Sequence, residues 1–354
     1  MPAKVAVVHD WLTGMRGGEA VLEAILELFP AAELFTLFHF PGSVSPKIEE
    51  RTIHTSFLQN IARRASDYRR LLPLYPRAAR SFDLRGFDLI VSSSHCVAKG
   101  VEAHGIRHIT FCHTPMRYMW DRFDDYFPWS KPAQRIAASI LRPWLQRWDR
   151  KTDGVTRFVA NSRFVAKRIA TYYGREADVV HPFVDEEFLQ PELKNEREDF
   201  HLIVSALVPY KKIELAMESG RQMEIIGGGP LLETLQRRAG PNVRFLGPVS
   251  RDRIIERLSR ARSLILPGIE DFGITPLEAM ALGTPVVALG QGGVLDTVAH
   301  GSTGILFDRP MVHSLRGALD EVESRTWDRE ALRAHAAAFS RERFRRELAA
   351  LIDA

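Results

Sequence analysis

The stretch that decides the fold reads Gly268-Ile269-Glu270-Asp271-Phe272-Gly273-Ile274-Thr275-Pro276-Leu277-Glu278. A strand-like apolar run (263–267) comes before it, and a helix-like run (276–282) follows it. The expected geometry is therefore a strand, a tight loop and a helix N-terminus. Unpaired backbone N–H groups and the positive end of the helix dipole make such a loop suitable for a phosphate.

Two carboxylates, Glu270 and Glu278, stand eight positions apart in this stretch. Glu278 falls early in the expected helix, where it can accept hydrogen bonds from two vicinal hydroxyls, such as those of a ribose. Glu270, at the strand end, can face hydroxyls on the other side of the phosphates. We interpret the loop as one that holds both ends of a nucleotide sugar, with the backbone of residues 272–275 against the ligand. The alternative is a plain turn whose carboxylates cap a helix and meet solvent.

Length and composition indicate a two-domain globular chain. It has 354 residues, 45% hydrophobic and 26% charged, which suits two domains of about 150–180 residues. No apolar run approaches the ~20 residues of a membrane span, and the N-terminus lacks the features of a signal peptide. Cys96 and Cys112 are the only cysteines, so no disulfide framework is expected and a cytoplasmic enzyme is the default.

Charge is distributed unevenly along the chain. Residues 1–183 carry 26 Lys+Arg and 18 Asp+Glu, a balance of +8, and the remainder carries 22 and 26, a balance of −4. A basic N-terminal half suggests an anionic partner: a membrane surface, a lipid diphosphate or nucleic acid. The chain shows neither an aromatic platform nor a known module for RNA, so we expect no nucleic-acid partner.

Short apolar segments alternate with helical ones, which predicts parallel sheets in an α/β fold. The expected strands are 5–8, 89–92, 108–111 and 157–160 in the first half, and 202–205, 223–226, 243–246, 264–266 and 285–288 in the second. Predicted domains are residues 1–183 and 184–337, with a polar linker at 191–199. A final helix at about 338–354 is expected to pack back onto the first domain.

Gly17 and Gly18 open a helical run after the first strand, where they let a ligand approach the backbone closely. The spacing Gly-x-Gly-x-x-Gly is absent here, and the glycines at 227–229 also fail to form it, so a dehydrogenase is disfavoured. A plain turn between strand and helix remains the alternative.

A further strand is expected to end at His113, and sugar-binding residue types follow it: Arg117, Tyr118, Trp120 and Asp121. We predict that this segment binds sugar, with His113 as a functional residue and the other four as candidates for the acceptor side. The alternative is a structural histidine. A zinc site built from the pairs at 95–96 and 112–113 is disfavoured, because adjacent residues on a strand point to opposite faces.

Lysines follow the first expected strand of the second half, at Lys211 and Lys212. A lysine just past a strand can neutralise a diphosphate, although a solvated basic turn is the alternative. Gly247 and Val249 follow another expected strand, and so does the glycine-rich loop at 290–294. All of these lie at the carboxyl ends of strands, where open α/β sheets bind ligands.

Basic and aromatic residues interleave from Trp129 to Lys151, and Ile136, Ile140 and Trp144 fall at helical spacing. Such a helix could lie at a membrane interface. The alternative is an ordinary helix with its tryptophans in the core.

These motifs and their order resemble the retaining glycosyltransferases of family 4 type, which share a Glu-x7-Glu motif. The resemblance covers nearly the whole chain and is strong in residues 263–295. It implies an α/β protein with the GT-B fold, in which two Rossmann-like domains face each other across a deep cleft. The segments 9–19, 92–100, 113–121, 160–165 and 208–215 look like bacterial mannosyltransferases that build O-antigen or exopolysaccharide.

The resemblance also implies roles for residues. The glycine pair would face the donor phosphates, His113 would contact the donor sugar, and Glu270 would orient it. Backbone groups near Gly247 and Val249 would hold the base. Many family members carry an arginine where this chain has Ala206, so Lys211 would matter more here, or Arg163 or Lys212 would substitute.

The implied reaction moves a hexose, with mannose from GDP-mannose as the best single expectation, onto a growing glycan on a lipid diphosphate in surface polysaccharide synthesis. No Asp-x-Asp pair is present, so neither a metal nor another cofactor is expected. The alternatives are a UDP-sugar-dependent transferase and a nucleotide-sugar-binding protein without turnover. The expected location is the cytoplasm, with peripheral contact to an anionic membrane as a hypothesis.

Overall fold

The computed structural model describes residues 4–62, 71–192 and 197–354. The chain divides into two compact units. The first unit runs to His181 and also includes Arg345–Ala354, and the second unit is Pro182–Phe344. The predicted linker at 191–199 lies partly outside the described residues, at 193–196.

The first unit contains a parallel sheet of seven described strands in the order β3-β2-β1-β4-β5-β6-β7. Its strands are β1 (Val5–His9), β2 (Glu33–Thr36), β3 (Ile53–Thr55), β4 (Leu89–Ser94), β5 (Arg107–Cys112), β6 (Arg157–Ala160) and β7 (Asp178–Val179). Its helices are α1 (Gly17–Leu28), α2 (Pro46–Glu49), α3 (Tyr75–Arg80), α4 (Phe123–Tyr126), α5 (Pro132–Asp149) and α6 (Arg163–Tyr173).

The second unit contains a parallel sheet of six described strands in the order β10-β9-β8-β11-β12-β13. Its strands are β8 (His201–Val204), β9 (Met223–Ile226), β10 (Val243–Gly247), β11 (Leu264–Leu266), β12 (Val286–Leu289) and β13 (Gly304–Phe307). Its helices are α7 (Ile213–Met217), α8 (Leu232–Arg238), α9 (Arg251–Arg260), α10 (Ile274–Ala281), α11 (Val294–Thr297), α12 (Val312–Ser324) and α13 (Arg329–Ala337). Helix α14 (Arg341–Asp353) begins in this unit, and its residues from 345 onward group with the first unit.

Both sheets have the strand order of a doubly wound Rossmann-like domain. The order reverses between β1 and β4 in the first unit and between β8 and β11 in the second. Ligands of open α/β sheets bind in the crevice at the carboxyl ends of the strands on either side of this point. The loops after these four strands are therefore the places to look for a site.

The nine predicted strands are confirmed to within two residues at each end. The prediction missed β2, β3, β7 and β13, all of two to four residues. Three of these four lie at a sheet edge, where a short strand is stabilised by a single neighbour. Their local sequence therefore carries a weak strand signal.

Helix α5 settles part of the question raised by the tryptophans. Trp148 is buried and packs against Gly100. A Cβ added to Gly100 would lie only 2.4 Å from the indole ring, so the tryptophan fits because this residue has no side chain. By contrast, an apolar row along α5 and just before it is exposed, and we call this row the α5 stripe. Its members and their exposed fractions are Trp129 74%, Ile136 58%, Ile140 74% and Trp144 48%. The core interpretation is right for Trp148 and wrong for Trp129 and Trp144.

Candidate active site

The edge of the first sheet at its reversal point is organised by the carboxylate of Asp10, which follows β1 and is fully buried. One of its oxygens accepts the N–H groups of His95 and Cys96 at 2.6 and 2.9 Å. The other accepts those of Val97 and Ala98 at 2.6 and 2.8 Å. Four donors of the loop after β4 thus converge on one group that follows β1. The two loops at the reversal point are held together by this charge-assisted network.

Hydrogen bonds also link the strand ends on either side of this loop. Ser93 Oγ lies 3.1 Å from His9 Nδ1 and 2.8 Å from His113 Nε2. His9 Nε2 in turn lies 4.0 Å from a carboxylate oxygen of Glu19, in the first turn of α1. A Cβ placed on Gly18 would stand 4.0 Å from His113 Nε2. The structure therefore brings the predicted glycine pair and His113 together.

The pKa values in this cluster favour neutral His113 beside an ionised Glu19. Burial lowers the pKa of His113 well below its usual range, and the nearby His95, His9 and Arg117 lower it further. Burial acts to raise the pKa of Glu19, but the hydrogen-bonding and charge interactions with His9 outweigh it and leave that pKa lowered. His113 is thus available at neutral pH as a hydrogen-bonding group without charge.

The four residues predicted on the acceptor side are engaged within the first unit to different degrees. Trp120 is buried, and its indole N–H donates to Asp149 at 2.7 Å. Asp121 accepts from Arg168 at 2.6 Å. Tyr118 is half-buried, and its hydroxyl lies 2.5 Å from Cys96 Sγ. Arg117 is half-buried as well, and the acceptor-side role of all four remains a prediction.

In the second unit, the corresponding edge is bridged by an ion pair. Lys211, after β8, contacts the carboxylate of Glu270, after β11. The two side chains are 15% and 20% exposed, so both reach solvent. A small cavity at the ends of these strands is lined in part by Lys211, Gly268 and Glu270. The predicted cation and the first carboxylate of the Glu-x7-Glu stretch are therefore neighbours at the reversal point of this sheet.

Close backbone approaches explain the glycines around this ion pair. A Cβ on Gly268 would stand 2.4 Å from the carbonyl oxygen of Tyr210. Across the next loop, a Cβ on Gly293 would stand 2.2 Å from the carbonyl oxygen of Asp271, and Gly293 N–H donates to the Glu270 carbonyl at 2.8 Å. Any side chain at these two positions would separate the loops, because real Cβ contacts are never this short.

The loop 270–273 leads into α10 as the sequence predicts. Gly273 precedes the first helical residue, Ile274, with a φ of +86°, which glycine adopts without strain. Phe272 is buried in the core of this unit, so only its backbone is available to a ligand. Thr275 and Glu278 are half-buried on the first two turns of α10.

Glu278 lies beside a charged pair that sequence reasoning did not single out. Burial raises the pKa of Glu278 to about 7, with Arg251 opposing the shift and Asp185 adding to it. Arg251 itself contacts Asp185 and lies 2.7 Å from Glu187. The Glu278 carboxyl thus ionises near neutral pH. Two vicinal hydroxyls of a ligand that donate hydrogen bonds to it would favour its charged form.

The other predicted positions of the second unit have less specific surroundings. Gly247 ends β10 with a φ of +70°, and its carbonyl accepts the N–H of Gly227 at 3.0 Å. Val249 packs partly against the core. Lys212 is half-buried with a φ of +50°, which is uncommon for a residue with a side chain. The binding roles assigned to these residues remain predictions.

Sequence reasoning missed Asp10, Ser93 and Arg251. Asp10 and Ser93 stood in segments quoted for their resemblance, and both immediately follow or end a strand next to the reversal point. Knowing that β1 and β4 are neighbours in the sheet would have identified both residues as candidates. The order of the strands in a sheet cannot be derived from the local sequence. Arg251 follows a helix-capping serine, Ser250, and nothing nearby in the sequence signals its position beside Glu278.

Comparisons with known proteins agree with this geometry. Residues 16–188 match the family model described as Glycosyltransferase Family 4, and residues 184–339 match the model Glycosyl transferases group 1. The two matches together span residues 16–339, so both halves of the chain are similar to glycosyltransferases, and the first half is similar to those of family 4.

Curated relatives resemble part of the chain. A GDP-mannose-dependent alpha-(1-6)-phosphatidylinositol monomannoside mannosyltransferase of Mycobacterium tuberculosis is 31% identical over an alignment length of 221, and the match covers 53% of this chain and 56% of that protein. A D-inositol 3-phosphate glycosyltransferase of a Mycobacterium species is 30% identical over an alignment length of 220, and the match covers 53% of this chain and 50% of that protein. The matched region thus spans about half the length of these relatives.

Solved structures resemble the whole chain in fold. Anabaena Alr3699/HepE in complex with UDP-glucose superposes with a TM-score of 0.70, and the lipopolysaccharide outer core galactosyltransferase WaaB in its apo form with 0.68. Each is 16% identical, and the alignment covers 99% of both chains. The predicted GT-B fold is confirmed by this likeness.

Replacing Asp10 with Asn should destabilise the first unit by about 3–5 kcal/mol, because the amide leaves buried N–H donors facing its own NH2 group. Hydrogen exchange followed by mass spectrometry reports each unit separately, and amides of residues 95–98 should exchange faster. Asp88→Asn is the matched control, since Asp88 also accepts a backbone N–H, that of Lys4, but at the surface. Equal exchange in the two variants would contradict the central role of Asp10.

Glu278 should make the second unit less stable as pH rises. The pKa of Glu278 is about 7 in the folded chain, against 4.5 for a glutamate in the unfolded chain. The folded state therefore holds the proton more tightly, and stability falls as pH rises between those two values. The expected loss is about 1–3 kcal/mol. Urea unfolding at pH 4.5 and pH 7.5 should show that loss in the native chain, and it should be absent in Glu278→Gln. Glu233→Gln, which changes an exposed glutamate, serves as control. If Glu278→Gln loses as much stability between pH 4.5 and pH 7.5 as the native chain does, the raised pKa is not that of Glu278.

Proposed function

We propose that this protein is a retaining hexosyltransferase that takes its sugar from a nucleotide diphosphate sugar, with GDP-mannose as the donor. The observation that carries the proposal is the Lys211–Glu270 ion pair at the reversal point of the second sheet, next to the N-terminus of α10. A cation, a helix N-terminus and two carboxylates, one on the loop before α10 and one on α10 itself, match the charges and hydroxyls of such a donor.

The donor is proposed to use these groups as follows. The diphosphate lies against Lys211 and the backbone N–H groups at the start of α10. Glu278, on the same helix, accepts the two ribose hydroxyls. Glu270 gives up part of its contact with Lys211 and orients the hydroxyls of the hexose, since a carboxylate can accept several hydrogen bonds at once.

The chemistry follows from where charge develops. The bond between the sugar and the phosphate breaks, giving an oxocarbenium-like sugar centre and a nucleoside diphosphate. Lys211 and the α10 N-terminus are proposed to stabilise the departing diphosphate without a metal ion. The departing phosphate takes the proton of the acceptor hydroxyl, which leaves the new bond on the original face. His113 contacts a sugar hydroxyl in the transition state.

The choice of donor rests on the relatives. The Mycobacterium tuberculosis protein described above is GDP-mannose-dependent, whereas the HepE structure holds UDP-glucose. A UDP-sugar-dependent transferase is therefore the second candidate. A nucleotide-sugar-binding protein without turnover is the third, and it differs from the first two in lacking slow hydrolysis of the donor.

The acceptor is proposed to be a glycan on a lipid diphosphate at the inner face of the cell membrane, in surface polysaccharide synthesis. No described helix is long and apolar enough to cross a membrane. We propose that the protein contacts the bilayer peripherally. The α5 stripe is the surface we assign to this contact. It is exposed and apolar, as an interfacial helix requires.

Charge around the α5 stripe favours an anionic bilayer as its partner. Residues 126–148 contain no Asp or Glu, and Lys131, Arg147 and Lys151 are exposed near the stripe. Arg135 and Arg142 do not contribute in the same way, because they donate to backbone carbonyls of residues 119–127 and dock the helix. The apolar row is thus bordered by exposed cations, which attract anionic lipid headgroups.

Turnover of GDP-mannose should depend on Lys211. Lys211→Met should weaken donor binding by about 1.5–3 kcal/mol, because a charge-assisted contact to the diphosphate is lost. Calorimetry with GDP-mannose, UDP-glucose and ADP-glucose measures this, and release of free GDP measures turnover. Arg237→Met is the control, because it removes an exposed cation of the same unit on helix α8, away from the strand ends.

Two results would overturn the proposal. If UDP-glucose binds more tightly than GDP-mannose, the second candidate, a UDP-sugar-dependent transferase, is the better assignment. If Lys211→Met leaves donor binding unchanged, Lys211 does not contact the diphosphate and the proposed site is wrong. The same assays in EDTA test the metal-free mechanism, and activity that is lost there and restored by Mn²⁺ would refute it.

The α5 stripe should bind vesicles of phosphatidylglycerol and release them as salt rises. Ile140→Glu should lower the bound fraction about tenfold, because a charge enters the apolar row and opposes the headgroups. Leu295→Glu is the control, since Leu295 is 50% exposed in the second unit. Vesicle flotation supplies the measurement. Equal binding to neutral vesicles, or a dimer in solution that Ile140→Glu dissociates, would contradict the assignment.

A further inference from the structure

A row of four polar groups leads from a carboxylate to His113 through the interior of the first unit. Glu19 Oε1 lies 4.0 Å from His9 Nε2, His9 Nδ1 lies 3.1 Å from Ser93 Oγ, and Ser93 Oγ lies 2.8 Å from His113 Nε2. His9 and Ser93 are fully buried, and Glu19 is 4% exposed. The role proposed above for His113 does not use the other three residues.

The direction of the hydrogen bonds in this row follows from the carboxylate. An ionised carboxylate only accepts hydrogen bonds, and its charge 4.0 Å from His9 Nε2 favours the proton on that nitrogen. A single proton on His9, placed on Nε2, leaves Nδ1 bare, so the Ser93 hydroxyl must donate to it. Ser93 Oγ is left to accept, and the remaining partner, His113 Nε2, must donate.

We propose that Glu19, His9 and Ser93 are positioning residues that hold His113 in the tautomer with its proton on Nε2. The other ring nitrogen, Nδ1, is then a bare acceptor for a sugar hydroxyl. This inference rests on the proposed function, because it specifies how His113 meets the sugar. A histidine with the other tautomer would present an N–H there and could accept nothing from a hydroxyl.

The surroundings of the row keep it in this arrangement. His95 Nδ1 lies 3.2 Å from Asp10, so that carboxylate is already occupied and does not compete for His113. Burial lowers the pKa of His113, with His95, His9 and Arg117 adding to the effect, and a neutral ring is what a defined tautomer requires. Glu19 is fixed in turn, because it accepts the N–H of Arg16 at 3.0 Å.

The test is the tautomer of His113, read from its ring ¹⁵N chemical shifts in the full chain labelled with ¹⁵N-histidine and assigned with His113→Gln. The native chain should show the proton on Nε2. Glu19→Gln should move it to Nδ1, because an amide NH2 group in place of the carboxylate oxygen favours a bare Nε2 on His9 and so reverses the two hydrogen bonds of Ser93. Ser93→Ala should give a mixture of both tautomers.

Ser92→Ala is the matched control. Ser92 is equally buried on the same strand, but its hydroxyl contacts His108 and Thr110 instead. It should leave the tautomer of His113 unchanged. Turnover should fall about tenfold in Glu19→Gln and in Ser93→Ala at nearly constant donor affinity, as expected for an interaction made in the transition state.

The inference fails if the native chain carries the proton on Nδ1, the state that a doubly protonated His9 would impose. It also fails if Glu19→Gln and Ser93→Ala both leave the tautomer of His113 as in the native chain. These readings need no substrate, so they are separable from the proposed function. If His113 carries its proton on Nε2 as proposed but the protein neither binds nor turns over nucleotide sugars, the proposed function is refuted and the role of Glu19, His9 and Ser93 in setting the tautomer still stands.

Discussion

The edge of the first sheet at its reversal point depends on one buried carboxylate. Asp10 gathers the N–H groups of four consecutive residues, 95–98, each at 2.6–2.9 Å. Without it, four donors of a buried loop would lack an acceptor, which is costly inside a protein. With it, the loop after β4 is fixed against the loop after β1, and His95 is held beside His9 and His113, with ring centroids 5.9 and 6.3 Å away.

In the second unit, the two loops at the reversal point are held together by different interactions. Its two reversal-point loops are joined by the Lys211–Glu270 ion pair and by backbone contacts that only glycine permits, as at Gly268 and Gly293. Both side chains of this ion pair reach solvent, at 15% and 20% exposed, so its charges are accessible to a ligand. Both oxygens of the buried Asp10 carboxylate, by contrast, already accept hydrogen bonds from residues 95–98. The first unit presents a neutral histidine at the corresponding edge, and the second presents charges.

Much of the candidate site was predictable from particular residues. The Glu270–Glu278 spacing, with a glycine before the helix, fixes a strand, a loop and a helix N-terminus, because φ and helix capping are local properties. The glycine pair and His113 were predictable for the same reason, since each follows a strand. The Glu19–His9–Ser93 row and the Asp185–Arg251 pair beside Glu278 were not, because their members are separated by up to 84 residues along the chain.

The sequence by itself determined the alternation of strands and helices, the glycines at the loops and the identity of the charged groups after β8 and β11. These follow from periodicity and local backbone preference, which neighbouring residues decide. Only the tertiary structure decided which tryptophans of 129–151 are buried, which carboxylate holds the loop at 95–98, and that burial raises the pKa of Glu278 to about 7. Burial and electrostatic environment are set by residues brought together from distant parts of the chain, so no local pattern records them.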